Sequence, residues 1–225
     1  GRLIAKNYDS MWTNSEKARI DVNMITDADG NVTDAGNNPV EIEGHATTMT
    51  TWYGTGGIIN IGLTTGDSKF TGEFAGAGTQ NMWLRNGAVW NNTGIVYNPW
   101  SGSNYISDIS SHVTWLHGGN DKSSAGNIIQ NSASDLYIDN LDGCTKLFME
   151  HDLNYVVPEF AKNPDGSDKV DKDGNKIKNE DAGQKKIFGK LGNVIIAKAH
   201  KREGKNSEIS LITDNKGLPM DSVKA

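Results

Sequence analysis

Residues 57–92 read GIINIGLTTGDSKFTGEFAGAGTQNMWLRNGAVWNN, and this stretch decides the fold class. It holds four short apolar runs: Ile58–Leu63, Lys69–Phe74, Gln80–Leu84 and Gly87–Trp90. Glycine, asparagine or aspartate separates each from the next. Runs of this length between turn formers read as β-strands. The gaps are too short for helical crossovers, which need about ten residues or more. Two architectures remain, an antiparallel sandwich or a solenoid whose coils each supply several short strands. A half-exposed sandwich face wants long apolar/polar alternation, which these strands lack. The expected fold is therefore all-β: a right-handed parallel β-helix, a solenoid in which stacked coils bury their inward residues in one continuous core.

The same rhythm continues outward from this stretch. Later runs are His112–Leu116, Gly126–Gln130, Asp135–Ile138, Lys146–Met149, Gly192–Ile196 and Glu208–Ile212. The best helix candidate, Ser15–Ile20, is short. Ile59, Ile61, Phe70, Leu84, Val113, Leu136, Ile138, Leu147, Ile195 and Ile209 are expected to face inward. Trp83, Trp90 and Trp115 lie in strand runs and are expected to stack in the core. Two segments break the rhythm: residues 26–39, TDADGNVTDAGNNP, and residues 163–181, NPDGSDKVDKDGNKIKNED. Both read as polar loop or hairpin insertions, with Asp29-Gly30 and Asp173-Gly174 as turn formers. The whole chain, 1–225, is expected to be a single β-helix fragment carrying them. Both ends enter mid-pattern, so an export signal or membrane anchor is expected outside the fragment.

Composition narrows the function classes. The chain is polar, with 36% hydrophobic residues and 26 glycines, and its net charge is −6. Binding phosphates needs a basic stripe, so nucleic acid is not an expected partner. Cys144 is the only cysteine and is expected to be a free thiol. No cofactor or metal motif stands out. The histidines His45, His112, His117, His151 and His200 lack zinc-ligand spacing, and His112 and His117, five apart, fall on opposite faces of a regular strand. The Asp165–Asn175 loop fails the ligand spacing of a calcium-binding EF-hand. No nucleophile motif is present, and no catalytic residue is assigned. One loop differs. Tyr97-Asn98-Pro99-Trp100-Ser101-Gly102-Ser103-Asn104-Tyr105 sets aromatic rings beside amides and hydroxyls, so Tyr97, Trp100 and Tyr105 are expected ligand contacts, because such rings stack on apolar sugar faces.

The heptapeptide Leu84-Arg85-Asn86-Gly87-Ala88-Val89-Trp90 resembles a coil signature of pertactin-like passenger domains of bacterial type V autotransporters. Residues 135–152, DLYIDNLDGCTKLFMEHD, are similar to a later coil of that family, as are Gly192–Asp214 and, earlier, Met11–Met24. The resemblance covers about three-quarters of the chain and leaves both polar insertions unmatched. It implies an adhesin-type passenger at the bacterial cell surface or secreted. The implied partners are a host or bacterial surface glycan or protein, or a second copy of the chain, with membrane contact only through an anchor outside the fragment. No serine-protease motif of that family is found. The alternative is a carbohydrate-active β-helix enzyme, a polysaccharide lyase or glycoside hydrolase, whose carboxylates would converge from neighbouring coils.

Overall fold

A computed structural model describes residues 1–6, 17–49, 56–93, 96–97, 106–107, 111–130, 135–149, 159–161, 167–180, 182–183 and 192–212. The described residues are all-β, without helices. In chain order the strands are β1 (Arg2–Lys6), β2 (Arg19–Val22), β3 (Met24–Thr26), β4 (Val32–Ala35), β5 (Glu41–Met49), β6 (Ile58–Leu63), β7 (Lys69–Gly76), β8 (Thr79–Leu84), β9 (Val89–Asn92), β10 (Val96–Tyr97), β11 (Ile106–Ser107), β12 (Ser111–His117), β13 (Gly126–Gln130), β14 (Leu136–Asp142), β15 (Cys144–Met149), β16 (Val194–His200) and β17 (Glu208–Ile212). The helix candidate at Ser15–Ile20 is corrected: Arg19 and Ile20 open β2, where Ile20 pairs with Ile59.

The chain alternates between two sheets. One has the order β1-β5-β7-β9-β13-β15-β17, the other β16-β14-β12-β8-β6-β2. Every pairing within these two sheets is parallel. Each strand therefore pairs with its counterpart one turn of chain later, a solenoid-like arrangement. Packing divides the chain into two units: Gly1–Glu150 with Leu191–Ala225, which holds both sheets, and His151–Lys190.

The residues of the opening stretch explain the corners. Asn86 and Gly87 both have positive φ, 53° and 80°, and Ala88 N–H donates to the Arg85 carbonyl at 3.0 Å. Two successive left-handed residues make a type I′ turn, which asparagine and glycine adopt most readily. The turn takes the chain from β8 in the second sheet to β9 in the first. Leu84 and Trp90, flanking it, are both fully buried.

Between the sheets lie rows of inward residues set by the register. Phe70, Trp90, Ile128 and Leu147 form one row across four strands. The Phe70 and Trp90 rings stack with centroids 6.2 Å apart and 6° between planes. Val22, Ile61, Met82, Leu116 and Leu141 form a row on the second sheet. One flank of this core is polar and largely cross-paired: Gln80 donates to Thr48 Oγ1 at 2.6 Å, Asn92 to Gln130 Oε1 at 2.7 Å and Ser111 to Asn92 Oδ1 at 2.6 Å, while Gln80 Oε1 accepts nothing. Buried polar groups are tolerated where they satisfy one another in this way.

Eight of the ten residues expected inward are buried, from Ile59 to Leu147. Ile209 is partly buried against the core. Ile195 is corrected. It is 38% exposed, because the register sets Val194 on Leu136 and Ile196 on Ile138, leaving Ile195 outward beside Tyr137. Trp90 stacks in the core as expected and Trp83 is buried as well, though against His117 outside the main cluster, whereas Trp115 is only partly buried and turns outward. The register between β12 and β14 skips Thr114 and Asp139, so the inward positions run Val113 to Leu116. That skip also puts His112 and His117 on the same outer face, not on opposite ones.

The first polar insertion is an antiparallel hairpin, β3–β4. In the second unit, antiparallel bridges join Phe160 to Lys178 and Val170 to Lys176. The two hairpins share one tip. In Asp27-Ala28-Asp29-Gly30-Asn31 the Asp27 Oδ1 accepts the backbone N–H of Asp29 and Asn31, at 3.0 and 2.8 Å. In Asp171-Lys172-Asp173-Gly174-Asn175 the Asp171 Oδ1 accepts those of Asp173 and Asn175, both at 2.9 Å.

Candidate binding face on the second sheet

The two sheets differ on their outer sides. The first is closed over Val89, Ile129 and Phe148, a buried cluster separate from the main core. The second carries two outward rows of functional side chains. Their members come from different coils, brought together only by the register.

The first row runs Asp21, Asn60, Asn81, Trp115, Asn140 and Lys198. Asn60 Nδ2 donates to Asp21 Oδ1 at 2.7 Å, and Asn81 Nδ2 donates to Asn60 Oδ1 at 2.9 Å. The chain of amides ends there: Asn81 Oδ1 is buried and accepts nothing. An unsatisfied buried acceptor costs about 1–3 kcal/mol. Above these amides the β3–β4 hairpin leaves a groove of about 200 Å³ lined by Arg19, Asn31, Val32, Ile58, Asn60, Thr79 and Asn81. Asn23 anchors the hairpin, its Nδ2 reaching the carbonyls of Gly36, Asn38 and Gly62 at 3.2, 3.1 and 2.9 Å.

The second row runs Gly62, Trp83, His117, Asp142 and His200. The Trp83 and His117 rings lie 4.4 Å apart, and Trp115 stacks on His117 at 5.4 Å and on His200 at 4.9 Å. His117 Nδ1 meets Asp142 Oδ2 at 2.8 Å, and Arg202 donates to Asp142 Oδ1 at 3.1 Å and to the Gly118 carbonyl at 2.8 Å. Burial alone would raise the Asp142 pKa. The His117 hydrogen bond and the charges of His117, Arg202 and Arg85 outweigh it and hold the carboxyl below its usual range. His200 Nε2 meets Asn140 Oδ1 at 2.9 Å, which fixes that ring as well.

The guanidiniums on this side are each paired. Arg19 meets Asp21 at 2.7 Å, Arg85 meets Asp34 at 2.8 Å and Arg202 meets Asp142 at 3.1 Å. The face therefore presents the partly exposed rings of Trp115, His117 and His200 in fixed orientations over the buried Asn60 and Trp83, with its arginines neutralised. Among the described residues no group of three or more histidines, cysteines, aspartates or glutamates is placed to hold a metal ion.

The expected contact loop falls almost wholly outside this description. Trp100 and Tyr105 lie outside the described residues, and only the backbone of Tyr97 is described, paired antiparallel with Ile106. The second-sheet face escaped the sequence reading because Asn60, Asn81 and Trp115 are each more than twenty residues apart in the chain. No protein-family model, curated protein or solved structure matches the chain.

Proposed function

We propose that the two parallel sheets are faces of a right-handed parallel β-helix, and that the chain is an adhesin-type passenger segment displayed on a bacterial surface or secreted. Its work is to bind a surface glycan or protein, or a second copy of itself. Two arguments support the architecture. Parallel strands of one sheet that are joined through a crossover are right-handed in nearly all proteins. The alternation of strands between two sheets is also what stacked coils produce. The observation that carries the function is the ordered outer face of the second sheet, where the partly exposed rings of Trp115, His117 and His200 are held in contact with one another. A regular surface of weak contacts, repeated over many molecules on one cell, gains avidity without a deep pocket.

The test is a glycan array together with a bacterial aggregation assay, using the wild-type protein, Trp115→Ala and Trp100→Ala. The wild type is expected to bind, and folded Trp115→Ala to lose most of that binding. If only Trp100→Ala loses it, the contact belongs to the Tyr97–Tyr105 loop instead. If the wild type cleaves a polysaccharide and binds no glycan, cell or copy of itself, the carbohydrate-active enzyme takes the place of the adhesin.

A further inference from the structure

We infer that the two ends of the paired sheets fit each other: the β16–β17 end of one copy of the chain seats on the β2–β5 end of a second copy, head to tail. The inference rests on the self-association in the reading above and names its surface. Three observations carry it.

The first is an apolar end left open. Ile138, Leu141 and Leu147 are buried in the core. In the last strand of each sheet the register sets Ile196, Ala199 and Leu211 beside them, on the same inward side. Yet Ile196 is 36% exposed, Leu211 is 57% exposed and Ala199 is exposed too. Stacked folds otherwise close such an end with a polar cap.

The second is fit in the first sheet. β1 pairs with β5 only from His45 onward, so no described strand covers Glu41–Glu43 on that side. A groove of about 320 Å³ lies there, lined in part by Leu3, Ile42 and His45. Leu211 and Ile42 are the two ends of one inward row that runs through Leu147, Ile128, Trp90 and Phe70. The backbone phase matches as well. Glu208 N–H donates to the Gly143 carbonyl, so by alternation the N–H and C=O of Leu211 face away from β15. His45 N–H donates to the Gly1 carbonyl, so Glu41 and Glu43 face away from β7. Seated over Ile42, Leu211 donates to the Glu41 carbonyl and accepts from the Glu43 N–H, the ordinary parallel pattern.

The third is fit in the second sheet, whose edge strands are β16 and β2. One inward row ends in Ala199 and Val22, and the neighbouring outward row in Lys198 and Asp21. Lys198 is exposed and has no ion partner among the described residues. Asp21 is exposed, with Arg19 and Asn60 as its own-chain partners, and supplies the opposite charge. One displacement serves both sheets, because β5 to β17 and β2 to β16 each span six strands. A partner must therefore carry both rows at the same offset, which the other end of this chain does. Each added copy leaves one end free, so the assembly is open and grows into filaments.

The test is sedimentation velocity on the full chain from about 1 to about 100 µM, the range of weak protein contacts. Mass is expected to rise with concentration through dimers to higher species. Leu211→Glu sets a carboxylate against Glu41 and Glu43, and Lys198→Glu sets one against Asp21. Each is expected to lower the association constant about tenfold or more, with circular dichroism unchanged. In a Cys144→Ser background, Asp21→Cys with Lys198→Cys is expected to give a ladder of disulfide-linked oligomers under mild oxidation. The two positions lie on opposite edges of one sheet and cannot close within a copy. Each single cysteine is expected to stay monomeric, and a mixture of the two to stop at the dimer. The inference is overturned if the chain sediments as a monomer throughout, or if both folded glutamate variants associate like wild type. It is also overturned if Lys198→Cys alone closes into a dimer, which would mean tail-to-tail contact. A monomer that still binds a glycan or a cell would leave the adhesin reading standing and remove this inference alone. A monomer that binds neither would remove both.

Discussion

Glu73 sits within β7 with its carboxyl 1% exposed and neither oxygen hydrogen-bonded. Burial pushes its pKa up to about 8 from 4.5. His45 approaches at 3.8 Å, but burial and the charge of Arg2 lower the His45 pKa, so near pH 7 the contact joins two neutral groups. The folded protein therefore keeps a proton that the unfolded chain releases. The contribution of Glu73 to stability is therefore fully present below about pH 4.5, is lost as pH rises towards about 8 and is flat above it. Thermal melts of Glu73→Gln across this range are expected to show that slope removed. The variant should gain stability over wild type at pH 8 and gain little at pH 4, and parallel profiles would contradict the account. The aromatic stack beside it gives a second residue-level test. Trp90 is fully buried, its Nε1 donates to the Gly72 carbonyl at 3.1 Å, and a Cβ at Gly72 would fall on the Gly44 carbonyl oxygen. In urea unfolding, Trp90→Ala is expected to cost about 3–5 kcal/mol. Gly72→Ala is expected to destabilise as well, since it also strains a φ of +145°.

At the scale of elements, the β3–β4 hairpin walls the groove and depends on one residue. Asn23 has φ of 54° and ties Gly36, Asn38 and Gly62 together through its amide. With about 1 kcal/mol for each hydrogen bond lost, Asn23→Ala is expected to cost about 2–3 kcal/mol, read in denaturant unfolding. Asn23→Gly keeps the left-handed backbone and loses only the amide contacts, so it should fall between Ala and wild type. The same elements show where sequence reasoning reaches its limit. Strand positions were legible because turn formers and apolar runs are local signals. The facing of Val194-Ile195-Ile196 was not, because three apolar residues in a row carry no alternation and only pairing with Leu136 and Ile138 chooses the inward set. The binding face was hidden for a related reason. The skipped register at Thr114 and Asp139 shifts the inward/outward count within β12 and β14, which turns Trp115 and His117 outward against simple alternation.

At the scale of the whole molecule, each described unit has its own logic. The second, His151–Lys190, is held by short antiparallel bridges, by Lys176 paired with Asp168 at 2.7 Å, and by that ammonium 5.1 Å from the Phe160 ring centroid. The first depends on parallel pairing between successive turns of chain, and every row of the candidate face follows from it. Cysteine pairs at two outward positions test this most directly, in a Cys144→Ser background. Tyr137 pairs with Ile195, and Asn140 pairs with Lys198, at the same sequence offset. Neighbouring parallel strands lie within the Cα separation of about 4.4–6.8 Å that a disulfide spans. Under mild oxidation, Tyr137→Cys with Ile195→Cys and Asn140→Cys with Lys198→Cys are both expected to close, as read by mass spectrometry. Closure of the first pair without the second would mean that these strands run antiparallel, and closure of neither would mean that they are not neighbours.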